Sequence, residues 1–84
     1  MYNAKYVIID GRAIVFSAAI QHKEMVGHNE KCEGAGFVTF GATSDQYGDL
    51  IIAAKCYGRS DSLNIESRPD EDSRIVTRQI TNPF

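Results

Sequence analysis

Apolar and polar positions change their period several times along the chain, and each change marks an element. Tyr6-Val7-Ile8-Ile9 and Ala13-Ile14-Val15-Phe16 are β-branched and aromatic runs that flank Asp10-Gly11. Such side chains fit the pleated surface of a strand. An Asp-Gly pair suits a type I′ turn, whose two central residues both take positive φ. The pattern predicts a β-hairpin. Ser17 then precedes the helix-forming run Ala18 to Val26, and Gly27 follows. Serine caps helix N-termini and glycine suits the left-handed position past the C-terminus, so a short helix is expected. Polar residues 28–34 read as a loop, and Ala35 to Phe40 as a strand whose glycines mark a bulge or a close approach by another backbone.

Gly41 to Asp49 is rich in turn residues. The continuous apolar start of Leu50 to Tyr57 predicts a central strand buried on both faces. Alternation puts Leu50, Ile52, Ala54 and Cys56 on one side, with Cys56 aimed into a core. In Ser60 to Glu66, Leu63 and Ile65 alternate with polar residues, as in a half-exposed edge strand. Ser67-Arg68-Pro69-Asp70 resembles a capping sequence, and Asp70, Glu71 and Asp72 supply first-turn charge to a helix from Pro69 to Gln79 that stops before Pro83. Ile75, Val76 and Ile80 form its apolar stripe. The order ββαβββα predicts an α+β fold: an antiparallel sheet of about five strands with both helices on one face. Core candidates are Ile8, Ile14, Phe16, Phe37, Phe40, Ile52, Leu63 and Ile75. The other face, or an edge strand, is left for a second copy.

Composition narrows the picture. The 84 residues make one small domain, 1–84, with 43% hydrophobic and 24% charged residues, which is globular and not disordered. A chain this short buries a modest share of its surface and gains from a partner, ligand, metal or disulfide. The net charge is −2. Basic residues are spread evenly over both halves, which argues against nucleic-acid binding. The longest apolar stretch, Tyr6 to Ile9, falls far short of the roughly 20 residues of a membrane span. The first residues lack the pattern of an export signal. Two cysteines are too few for a disulfide scaffold, so a cytoplasmic protein is expected.

His22, His28, Cys32 and Cys56 are an inventory for tetrahedral zinc, although H-x5-H-x3-C matches no zinc-finger spacing and Cys56 reads as core. A disulfide between Cys32 and Cys56 does not suit a reducing compartment. No metal or other cofactor is therefore assigned. No motif sets a base beside a nucleophile, so no enzyme is expected. Gly34-Ala35-Gly36-Phe37 precedes a strand and does not open a helix, so it lacks the geometry of a phosphate loop. Tyr57, Arg59, Ser60 and Ser62 are the candidate binding residues. They place an aromatic face, a guanidinium and two hydroxyls within six residues, a set suited to an anionic or nucleotide-like ligand. The alternative is a hairpin corner whose serines bond their own backbone and whose arginine pairs with a carboxylate.

The series Asp10-Gly11, Ile14-Val15-Phe16-Ser17, Ile20-Gln21-His22, Ala35-Gly36-Phe37, Tyr57-Gly58-Arg59-Ser60 and Ser67-Arg68-Pro69 resembles small uncharacterised accessory proteins of phages and mobile elements. The resemblance spans most of the chain and implies a genomic setting, with no reaction. The expected function is a non-catalytic, homo-oligomeric binding module that acts on a host protein. A small-molecule binder at the Tyr57 to Ser62 corner and a zinc-stabilised structural domain are the alternatives.

Overall fold

The computed structural model of the chain describes residues 2–44 and 46–81. Asp45, within the predicted turn, and Pro83, expected to stop the last helix, lie outside the described residues. The elements are β1 (Tyr2–Ile9), β2 (Arg12–Phe16), β3 (Cys32–Ser44), β4 (Leu50–Tyr57), β5 (Arg59–Ser60), β6 (Ile65–Glu66) and α1 (Pro69–Thr81). The main sheet has the order β2-β1-β3-β4 and is antiparallel throughout, while β5 and β6 pair as a separate small hairpin. The α+β class and the C-terminal helix are as expected. The main sheet has four strands where about five were expected, because the predicted edge strand splits into β5 and β6.

The Asp10-Gly11 turn forms as predicted, with φ of 51° and 73°. The glycines of β3 are associated with both predicted effects. The β1–β3 register shifts between Ile8 and Ile9, leaving Glu33 as an extra residue next to Gly34. A Cβ on Gly34 would overlap the carboxylate of Asp72, so only glycine lets α1 come this close.

The Ala18 to Val26 segment departs from expectation. It holds only a single 3-10 turn, His22–Met25. Ser17 Oγ accepts the Ala19 N–H at 3.2 Å and closes a local turn, and Ala18, Ala19 and Ile20 are exposed. Its apolar positions do not share one face, so a helix here would have nothing to dock, and short helices need such docking. The buried residue is His22 instead.

The core forms on both faces of the sheet. Beneath α1 lie Ala4, Tyr6, Ile8, Val38, Ala54, Cys56 and Val76. Of the two openings expected, a sheet face or an edge strand, the face is closed: Val7, Ile9, Phe16 and Ala35 pack there under Met25, Val26, Leu63 and Ile65. β1 is therefore the strand buried on both sides. β4, predicted to be central, is an edge strand whose first half is exposed. Ile14 and Ile52, predicted as core, are also exposed. No helix among the described residues is long and apolar enough to cross a membrane.

Candidate functional site

Two features of the fold are candidates for a functional surface. The first is the corner predicted from Tyr57, Arg59, Ser60 and Ser62. β4 ends at Tyr57, whose ring stacks on Phe37 with centroids 5.9 Å apart and whose hydroxyl donates to Asn3 Oδ1 at 3.4 Å. Ser60 is fully buried, and its Oγ accepts the Leu63 N–H at 3.2 Å, so it staples the β5–β6 turn. Ser62 Oγ accepts the Lys23 N–H at 3.2 Å and ties that turn to the 3-10 segment. Arg59 donates to Asn64 Oδ1 and stands 3.3 Å from Asp61. The serines and the arginine thus carry the bonds of a hairpin corner.

Arg59 and Ser62 also line a cleft of about 320 Å³ with Lys5, Gln21, His22, Phe37 and Asp61. Tyr57 and Ser60 do not reach it. Lys5 and Gln21 went unmarked in the sequence, while His22 was marked there as a metal ligand and Phe37 as core, since only the sheet register brings Lys5 opposite Phe37 and Phe37 opposite Tyr57. His22 Nε2 lies 2.8 Å from Gly36 O, and since a carbonyl only accepts, Nε2 carries the hydrogen. Phe16 and Phe37 hold the imidazole edge-on, at 5.5 and 6.0 Å. Lys5 Nζ donates to Ile20 O at 3.0 Å. Both cations of the cleft therefore already have partners, and the volume lies at the lower end of the roughly 300–1,000 Å³ of small-molecule sites.

The zinc inventory does not converge. Cys56 belongs to the cluster beneath α1 while Cys32 packs against the opposite one, so the sheet lies between them, and both are free thiols. No group of three or more His, Cys, Asp or Glu is placed to hold a metal among the described residues. Burial, with a smaller contribution from Asp72, pushes the Cys56 thiol up to about 11, well away from a reactive thiolate.

The second feature is the outer half of the β3–β4 hairpin. β1 accompanies β3 only as far as Phe40, opposite Tyr2. Beyond that point the two strands continue, among the described residues, without a third strand, as an arm pairing from Gly41 with Ala53 to Ser44 with Leu50. The molecule is 45 Å long and 25 Å by 18 Å across. No protein-family model, curated protein or solved structure matches the chain. The arm has an apolar surface of its own. It exposes Tyr47 (79%), Leu50 (72%), Ile52 (48%) and Ile51 (36%), and alternation puts Leu50 and Ile52 on one face and Ile51 on the other. At its root, Phe40, Gly41, Ala42, Ala53 and Ala54 line an apolar hollow of about 280 Å³. Isolated exposed apolar residues are ordinary, whereas several large ones gathered on a projecting hairpin make the arm a candidate contact surface.

Proposed function

We propose that the chain is a non-catalytic binding module that associates with itself, with the β3–β4 arm as its contact surface. The supporting observation is the clustering of Leu50, Ile51, Ile52 and Tyr47 on a two-stranded extension. A two-stranded hairpin is marginal in water and gains stability when more strands or a packed face are added. A domain of 84 residues, itself short of burial, stands to gain from the same contact. The setting implied by the resemblance, an accessory protein of a phage or mobile element acting on a host protein, is compatible with such a module and forms part of the proposal.

Sedimentation of the full chain tests this reading. A dimer is expected at micromolar concentration, and Leu50→Lys is expected to yield a monomer whose melting matches that of dilute wild type. A wild-type chain that stays monomeric at the highest soluble concentration would overturn self-association.

A further inference from the structure

The mode of association can be read from the hydrogen bonds that α1 makes to β4. Ala54 N–H donates to Thr77 Oγ1 at 3.0 Å and Cys56 N–H to Ser73 Oγ at 2.8 Å. Both N–H groups therefore point away from β3, toward the outer edge. The N–H and C=O of one strand residue point to the same side, and that side alternates along the strand. The β3–β4 register runs unbroken from Tyr57 to Leu50. Ile52 and Leu50 thus also direct their backbone groups outward, beyond the reach of Thr77, and among the described residues nothing bonds them there.

Resting on the self-association proposed above, we infer that β4 pairs edge to edge with β4 of a second copy, antiparallel about a two-fold axis at Ile51. Leu50 then lies opposite Ile52 of the second copy, and Ile52 opposite its Leu50. Each of these pairs exchanges both N–H···O bonds, while Ile51 faces its own counterpart in a non-hydrogen-bonded pair. The pattern is self-complementary, as an isologous interface requires. The same register brings Asp49 diagonally opposite Lys55 of the second copy, within reach of a long side chain, on the face away from α1. The ladder ends naturally at Ala54, where Thr77 already holds the N–H and where the second copy's chain turns away at Gly48.

The other edges fit less well. On β2 the Gln79 amide occupies both the N–H and the C=O of Ala13, which leaves Val15 as the outward residue of that strand. The outer edge of β3 along the arm presents Ala42 and Ser44, which offer little apolar surface to a partner. Pairing that edge with β4 would also be head-to-tail and would propagate into larger species.

Two measurements on the full chain decide the register. In wild type, amide exchange at Leu50 and Ile52 should slow about tenfold or more as concentration is raised through the dimer range, while Ile51, already bonded to β3, stays unchanged. In a Cys32→Ser background, Ile51→Cys should give a disulfide-linked dimer on mild oxidation. Its non-hydrogen-bonded pair sets the Cα atoms about 4.5 Å apart, within disulfide range. Ala53→Cys should not cross-link, since its mate across the axis is Asp49 and the two introduced thiols would lie several residues apart. If a dimer sediments but Ala53→Cys links as readily as Ile51→Cys, or Leu50 and Ile52 gain no protection, the register is wrong while self-association stands. If species larger than a dimer form, the head-to-tail alternative holds. If no association occurs, both proposals fall and the arm serves a different protein.

Discussion

Asp72 has several partners on its two oxygens. Tyr6 Oη donates to Oδ2 at 2.5 Å, the Arg68 N–H donates to Oδ2 at 2.9 Å, and Arg68 Nε donates to Oδ1 at 3.0 Å. Arg68 Nη2 also stands 2.9 Å from Oδ1, as an ion-pair contact off the axis of a good hydrogen bond. The carboxylate is fully buried, so the three acidic residues expected to supply first-turn charge to the helix are not equivalent. Asp72 turns inward over Gly34 and caps the helix from inside, while Ser67 Oγ donates to Gly58 O and does not cap it. Removing one partner of a buried charge leaves the rest unpaired. Asp72→Ala is therefore expected to cost about 3–5 kcal/mol, and Tyr6→Phe about 1.5–3 kcal/mol, by urea unfolding. A cost below about 1 kcal/mol for Asp72→Ala would mean that the knot does not hold α1 to the sheet.

At the scale of elements, α1 spans the gap between the two sheet edges. Ser73 and Thr77, one turn apart on one side, serve β4, and Gln79 on another side serves β2. Natural sheets cover or blunt their edges because unpaired strands template association. Here the covering is polar side chains standing in for a strand, and it stops short of Leu50 and Ile52. Thr77→Val keeps the shape and removes the acceptor, so it should cost about 1–3 kcal/mol. It should also speed hydrogen exchange at Ala54 selectively. Unchanged protection at Ala54 would show that the helix does not seal that edge.

Stability against pH belongs to the whole molecule, because it sums over the groups whose protonation folding changes. Burial, together with the neighbouring Asp72, raises Tyr6 far above the ordinary tyrosine range, and burial raises Cys56 to about 11 from 9.0. Both are neutral when protonated, so a raised folded-state value means that the folded chain holds its protons longer than the unfolded one. That stabilisation is complete below about 9 for Cys56 and is lost as pH climbs toward about 11, with Tyr6 adding to the loss above its unfolded value near 10. Thermal melting should fall steadily above pH about 9. Cys56→Ala should flatten the first part of that fall by on the order of 2 kcal/mol. An equal slope in the variant would remove Cys56 as a cause.

Much of this architecture is legible in the residues themselves. The Asp10-Gly11 hairpin, the inward Cys56, the bulge and close approach at the β3 glycines and the C-terminal helix all follow from local stereochemistry and period, which act over a few residues. The same reasoning misplaced β4. A continuous apolar run gives one signal whether both faces are buried, as in Tyr6 to Ile9, or stand bare, as in Leu50 to Ile52. Strand order decides between the two, and it is a non-local property. Tertiary structure alone also brings Lys5 and His22 beside Arg59, carries Asp72 under the sheet and sets the cysteines on opposite faces. These placements join residues far apart in sequence, and their energies depend on pairing and burial that no local pattern contains. Local sequence thus determined most of the elements, though not the Ala18 to Val26 segment, and the long-range packing of β1, β3 and α1 decided which of their edges remain open.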